Sequence, residues 1–257
     1  MPTEVYTQEN QPPGVPPLRL TGERTLPDVP AENYWYRRHL VVYEWIARRV
    51  RGLHVLDMAC GEGYGSNAMA SRAAAVVGVD ANPQAYDHAR LRYRRANLRF
   101  ERALIEQYGE PGCCEAVVLL QTIEHVQDPG AVLAHLHELL VPGGTAYIST
   151  PNVLTLAPRG AAHSGNPWHV REYRHEEFLA LCRGEFPSVA LRGLHHARKL
   201  RIHELALRLG WDRLHRSAGI TARFYDWFTP AISSEDFVLR TGRPDRALDF
   251  LAVCSRA

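Results

Sequence analysis

The sequence predicts an α/β fold with a mostly parallel sheet and helices on both of its faces. Three observations carry this expectation. Strand and helix patterns alternate from residue 53 to about residue 150. The strand candidates "AVVGV" (75–79) and "AVVLLQ" (116–121) are continuous apolar runs, which implies burial on both faces. The strand "HVLDM" (54–58) passes directly into a glycine-rich turn and a helix, the opening of a strand–turn–helix unit.

In order along the chain, seven of the first thirty residues are proline, so residues 1–30 read as an extended segment whose first part is disordered without ligand. Residues 31–257 form the domain proper. The run "ENYWYRRHLVVYEWIARRV" is a helix, because Tyr36, Leu40, Tyr43 and Ile46 recur at helical spacing. "HVLDM", a helix from Gly63 to Arg72, "AVVGV", a helix from Pro83 to Arg95 and "LRFER" then make a βαβαβ rhythm. "AVVLLQ" follows, then a helix with Asp128 as cap and Pro129 in its first turn, a "PGG" stop and the strand "TAYIST". An irregular segment runs to about Tyr173, a helix surrounds "HEEFLALC", and strands are expected at "SVALRGL" and "DFLAVCSR". Because a strand follows it, the stretch 195–247, with "KLRIHELALRLG" and "RFYDWF", is an insertion and not a separate domain. It reads as a substrate or lid element, or as a homodimer contact.

Composition limits the function classes. The 30 basic and 28 acidic residues nearly cancel, which gives no electrostatic reason to expect nucleic acid or a membrane surface as partner. Lys199 is the only lysine, so the arginines reflect coding bias. Five cysteines without metal-ligand or CxxC spacing, and no secretory leader pattern, fit a cytoplasmic protein. No apolar run approaches the roughly 20 residues that cross a bilayer.

The stretch "VLDMACGEGYGSNAMA" sets an acid inside an apolar run and then glycines at 61, 63 and 65. A glycine-rich turn between strand and helix brings backbone N–H groups close to a ligand. Asp80 ends the next strand, nineteen residues after Gly61, where its carboxylate can accept both hydroxyls of a ribose. The spacing is GxGxG with Asp57 ahead, which sets an adenosylmethionine loop against the GxGxxG of dinucleotide enzymes.

These residues resemble the class I S-adenosylmethionine-dependent methyltransferases over about residues 53–150. "VLDMACGEGYG" is similar to their first motif, with Ala59 where glycine is usual, and "VVGVDANP" to their ribose motif. "AVVLLQTIEHVQDPGAVLAHLHELLVPGGTAYISTPN" is similar to the fourth strand through the fifth. The resemblance implies a Rossmann-like, seven-stranded, mostly parallel sheet, its last strand "DFLAVCSR" antiparallel at the C-terminal edge. It implies S-adenosyl-L-methionine held by Asp57, Ala59, Gly61, Gly63, Asp80, Ala81 and Gln121. Leu104 stands where an acid or Asn often meets adenine, so backbone groups of Leu104 and Ile105, or Glu106, would serve.

Methyl transfer from a sulfonium is an in-line displacement, so the protein positions the acceptor and takes its proton. "QTIEHV" puts Gln121, Glu124 and His125 beyond the fourth strand, and "NPWHVREY" brings His169 with Trp168, Glu172 and Tyr173. The E-x-x-E-H run of metal-assisted methyltransferases is matched except that Gln121 replaces its first acid. Three readings stand open. His125 or His169 is a catalytic base; Glu124, His125 and His169 hold Mg²⁺ or Mn²⁺; or the Glu-His pair is structural. "TGERTLPDVPAENYWYRRH", "STPN", "NPWHVREY" and "GLHHARKLR" resemble methyltransferases associated with mycobacterial methylglucose lipopolysaccharide synthesis, which implies an oligosaccharide or glycoside hydroxyl as acceptor. Arg24, Tyr36, Trp168, Tyr173 and His196 are the candidate acceptor contacts, since aromatic faces suit sugar rings. A phenol or natural-product acceptor, a nucleotide-dependent oxidoreductase and a non-catalytic adenosylmethionine-binding protein are the alternatives.

Overall fold

The computed structural model describes residues 7–20, 22, 24–158, 160–211 and 222–257. Eight strands form one sheet: β1 (His54–Met58), β2 (Ala75–Val79), β3 (Leu98–Glu101), β4 (Cys114–Leu120), β5 (Leu140–Pro151), β6 (Ser188–His196), β7 (Phe237–Arg240) and β8 (Asp249–Ser255). Their order is β3-β2-β1-β4-β5-β8-β6-β7. The first five pair in parallel, while β8 runs antiparallel to both neighbours and β7 antiparallel to β6.

Two expectations are corrected here. The sheet has eight strands, not seven, because "FVLR" at the end of the insertion pairs with β6 through Gly193↔Arg240 to His196↔Phe237. The strand 249–255 is not an edge; it lies between β5 and β6, with both of its edges paired. The insertion therefore completes the sheet as well as crossing it.

Among the described residues, eight α-helices accompany the strands: α1 (Asn33–Ala47), α2 (Tyr64–Ala70), α3 (Pro83–Arg92), α4 (Pro129–Leu139), α5 (Val153–Leu156), α6 (His175–Glu185), α7 (Arg198–Arg208) and α8 (Ala222–Phe228). Successive side chains of each strand go to opposite faces. Leu56, Met58, Val117 and Leu119 meet α4 and α6, through Leu133, Leu136, Phe178 and Phe186. Val55, Ala116 and Val118 meet α1, α2 and the insertion, through Tyr43, Ile46, Met69, Leu200 and Phe228. The caps read from sequence are present: Asn82 accepts from the N–H groups of Gln84 and Ala85, and Asp128 accepts from that of Ala131.

The described part of the proline-rich segment, from Thr7, is tied to the rest of the chain; its first six residues, on which the expectation of disorder in the first part falls, lie outside the described residues. Thr7 bridges Arg19, and Leu18, Leu26 and Val29 make a small apolar cluster of their own. Gln8, buried, donates to the Pro27 carbonyl at 3.1 Å and to Glu62 at 3.2 Å. His88 joins the Pro16 carbonyl to Glu62, at 2.8 and 2.9 Å. Arg92 reaches Gln11, Asp28 and Glu62. Local composition pointed to disorder, but these long-range polar contacts to α3 outweigh it.

Helices α1 and α2 touch at Gly65. A Cβ there would lie 2.2 Å from Tyr43 Cζ, inside a ring held between two helices. Gly65→Ala is therefore expected to lower unfolding free energy by about 1–3 kcal/mol through overpacking, read by urea denaturation followed by circular dichroism.

Candidate functional site

One cleft of about 500 Å³ opens at the carboxyl ends of β1, β2, β4 and β5, where open α/β sheets take their ligands. Its floor comes from Ala59, Gly61, Asp80 and Gln121, its far wall from Glu124, His125 and His169, and its near wall from α1 and from Leu20, Gly22, Arg24 and Thr25.

The three glycines divide into separate tasks. Gly61, at φ +58°, faces open space in the cleft. Gly63, at φ +95°, starts α2, and a Cβ there would come 2.9 Å from Ala89 and 3.0 Å from Phe100, so it allows close packing onto α3 and β3. Gly65 serves packing against Tyr43 alone, which corrects its expected approach to ligand. Ala59 holds φ +56° where the related motif has glycine, and Gln121 holds φ +51° at the end of β4. Left-handed residues at two strand ends, both on the cleft, mark backbone shaped for a ligand.

Asp80 is fixed by its own neighbours. Gly61 N–H donates to Oδ2 at 2.8 Å and Asn82 N–H to Oδ1 at 2.9 Å. An ionised carboxylate has about four lone-pair directions, so two remain for the hydroxyls of a ribose.

Asp57 occupies a different position from the expected one. It is fully buried beneath the loop, not on the cleft, and accepts from Ser66 Oγ at 2.5 Å and Tyr43 Oη at 3.3 Å. Burial pushes its carboxyl up to about 7, against the lowering effect of those two hydrogen bonds. It supports the loop by tying β1 to α1 and α2.

Glu124 is buried too, at 1% exposure, and burial raises its carboxyl to about 8. Thr150 Oγ1 donates to it at 3.0 Å, and its backbone carbonyl accepts from the N–H groups of Val170 and Arg171. His125 donates from Nδ1 to the Trp168 carbonyl at 2.7 Å, because a carbonyl can only accept. The rings of His125 and His169 meet edge to face, 5.0 Å between centroids.

Glu124, His125 and His169 each bring one ligand atom within 4.8 Å of the others. One carboxylate and two imidazoles, each imidazole hydrogen-bonded through Nδ1 to an oxygen, fit a divalent cation, and the nitrogen share suits Mn²⁺ better than Mg²⁺. A cation there would have to draw the proton from Glu124 and displace the Asn166 amide that donates to His169 Nε2 at 3.0 Å.

The remaining sequence candidates are spread out. Arg24 is on the cleft, and Trp168, half exposed, stands over Gly22 beside it. Ala81, Leu104, Ile105 and Tyr36 do not line it; Leu104 is exposed, Ile105 packs on the core and Tyr36 meets Tyr64 edge to face. Tyr173 is a core residue at 1% exposure, stacked near Phe178, not an acceptor contact. His196 is engaged by Tyr34 and Glu204 on β6, away from the cleft lining. None of the described residues of 195–247 lines the cleft. Sequence reading missed Glu32, Arg38, His39 and Thr25, which line it. Arg38 and His39 lie among the helical residues beside the cleft, and only the burial of a guanidinium, invisible in sequence, marks Arg38.

A sequence profile described as a methyltransferase domain matches residues 34–205. A protein of Mycolicibacterium smegmatis named "probable S-adenosylmethionine-dependent methyltransferase" is 41% identical over 164 residues, covering 64% of this chain and 63% of that one. The ubiquinone biosynthesis O-methyltransferase of Pseudomonas aeruginosa is 35% identical over 137 residues, 45% of this chain and 59% of that one. The chain thus spans somewhat under two thirds of the length of these relatives. Among solved structures, a Thermotoga maritima "SAM-dependent methyltransferase, possible histamine N-methyltransferase" superposes with a TM-score of 0.60 at 13% identity, covering 88% of this chain and 95% of that one. At that identity the likeness concerns the fold.

The Asp57 carboxyl makes a pH prediction. Its folded value, near 7, lies above its ordinary 3.8, so between those values the native state keeps a proton that the unfolded chain has released. The stability it contributes is complete below about pH 4 and is lost as pH rises through about 7. Unfolding titrations at pH 5, 6 and 7 should show a shallower decline in Asp57→Asn than in wild type, the difference reaching at most about 1.4 kcal/mol per pH unit.

Proposed function

Since the chain belongs to the class I S-adenosylmethionine-dependent methyltransferases, we propose that it transfers the methyl group of S-adenosyl-L-methionine to a hydroxyl, and that this hydroxyl is on an oligosaccharide or glycoside. The observation that carries the reading is the single cleft: Gly61 and Asp80 at one end, His125 and His169 at the other. Asp80 receives the ribose, the turn at Gly61 takes the amino-acid portion of the cofactor, and the methyl faces the imidazoles.

The sulfonium is already a good electrophile, so what a weakly acidic sugar hydroxyl needs is a base at contact distance. His125 is that base. Its Nδ1 proton belongs to the Trp168 carbonyl, so the acceptor proton goes to Nε2 as the oxygen attacks and the thioether leaves. Burial, which raises the Glu124 carboxyl to about 8, lessens the negative charge near an incipient alkoxide. Arg24, Trp35 and Trp168 at the mouth suit an uncharged ring with apolar faces. Leu20, Gly22, Arg24 and Thr25 line the near wall, which supports the N-terminal region as part of the acceptor site. A second reading, supported by the 4.8 Å cluster, has Glu124, His125 and His169 hold a divalent cation that lowers the pKa of the hydroxyl.

Three measurements separate these. Calorimetry should show S-adenosylmethionine and S-adenosylhomocysteine binding, weakened at least tenfold in Asp80→Asn with an unchanged fold; tight NAD binding instead would overturn the proposal. With labelled cofactor, glucose-containing oligosaccharides should take up label ahead of phenols and small acids, and His125→Ala should lose on the order of 10²–10⁴ in kcat. Full activity after exhaustive chelation retires the cation reading, whereas loss restored by Mn²⁺ establishes it.

A further inference from the structure

Helix α1 begins on the cleft with an acid that the helix does not use. Glu32 immediately precedes Asn33, where a side-chain oxygen commonly accepts from the first free N–H groups of a helix, yet it makes no capping bond. Among the described residues none donates to its carboxylate or pairs with it. Burial nevertheless raises its carboxyl, so the group has lost water without gaining a protein donor in exchange.

The turns of α1 set further groups on the same wall. Trp35 and Arg38 follow Glu32 at intervals of three residues, and all three line the cleft. The Arg38 guanidinium lies over the Trp35 ring, 4.8 Å from its centroid, and is fixed there by Asp249. Trp35 is still 37% exposed, so the indole is a braced platform with surface to offer. Asp249 opens β8, three strands across the sheet from β1, and Gly61 follows β1 while His125 follows β4, which lies between them. At the usual strand spacing the anchor of this platform is on the order of 14 Å from β1, beyond the cofactor end.

A carboxylate can only accept, so its ligand has to bring donors, either hydroxyls or an ammonium. Trp35 decides between them. A second cation on that ring would meet the repulsion of Arg38, whereas the C–H face of a sugar ring needs only apolar contact. A phosphate or carboxylate on the acceptor would oppose Glu32 directly. Resting on the proposed transfer to a glycoside hydroxyl, we propose that Glu32 is a specificity-determining residue of the acceptor site: it accepts from hydroxyls of the sugar ring that lies on Trp35, and it excludes acceptors that carry a negative charge there. The two contacts fix the ring in the cleft and so select which hydroxyl faces the methyl group.

The test reads binding apart from turnover. The chain, saturated with S-adenosylhomocysteine, is titrated with maltotriose, glucose 6-phosphate and choline while the Trp35 indole N–H is followed in ¹H–¹⁵N spectra. Trp35→Phe assigns that signal among the five tryptophans. Maltotriose should shift it and bind more tightly than the other two. Glu32→Ala should weaken maltotriose about 10- to 100-fold, the loss expected for hydrogen bonds to a charged group, with S-adenosylhomocysteine affinity within about twofold. Glu32→Gln, which keeps an acceptor oxygen without the charge, should lose less and should bind glucose 6-phosphate better than wild type does. In turnover both variants should raise KM for a saccharide acceptor and leave kcat within about threefold. Because Glu32 has no partner among the described residues, its replacement tests recognition and not folding. No maltotriose-dependent shift in wild type, unchanged affinity in the Glu32 variants, or choline or glucose 6-phosphate bound as tightly as maltotriose overturns the proposal. Maltotriose binding that depends on Glu32, with no saccharide methylated, leaves the subsite standing and sinks the transfer to a glycoside.

Discussion

The buried pair of Arg38 and Asp249 holds the site together. Arg38 donates from Nε to Oδ2 at 2.7 Å and from Nη2 to Oδ1 at 2.5 Å, and Nη2 also meets the Leu248 carbonyl at 2.9 Å. Both residues are nearly inaccessible, so neither charge is tolerable without the other. The pair ties α1 to the first residue of β8, and Asp249 faces Pro151 at the end of β5. An N-terminal helix and a C-terminal strand thereby close on the same cleft. Such a pair contributes less to net stability than to uniqueness here, because it admits only one seat for α1 on the sheet. The near wall of the cleft, including Arg38 itself, follows from that seat.

A second acid does for the N-terminal segment what Asp249 does for α1. Glu62 is the middle residue of "GEG", and its buried carboxylate accepts from Gln8 and Tyr93 and meets His88. Leu20, Gly22, Arg24 and Thr25 line the cleft because the preceding stretch is anchored to the glycine turn that shapes it. Cofactor loop and near wall are thus one mechanical unit, with Glu62 shared between them.

The alternating core of the fold was legible because it rests on local signals: apolar runs at 75–79 and 116–121, the acid and glycines after β1, and caps at Asn82 and Asp128. What was not legible depended on pairing between distant residues. "FVLR" is too short to declare itself a strand until β6 offers an edge, so the eighth strand was missed. The proline content of residues 1–30 hid a segment held by Gln8, Asp28 and Glu62. In the site, Asp80, Gly61, His125 and His169 were readable as a set because each ends a strand or sits in a loop following one. Asp57 and Gly65 were assigned to the ligand by motif position, whereas the packing of Tyr43 against both decides their role.

The histidines show how far residue type can mislead when the protonation pattern is unknown. Two imidazoles 5.0 Å apart at the mouth of a cleft suggest paired bases or paired ligands. Hydrogen-bond direction separates them, since a carbonyl can only accept and an amide whose oxygen is already bound must present its NH₂. By that reasoning the Trp168 carbonyl accepts from His125 Nδ1 and the Asn166 amide donates to His169 Nε2, although neither Trp168 nor Asn166 titrates. A metal at Glu124, His125 and His169 would have to undo this arrangement by removing Asn166 from His169 and a proton from Glu124. The metal-free arrangement instead uses every contact as it stands.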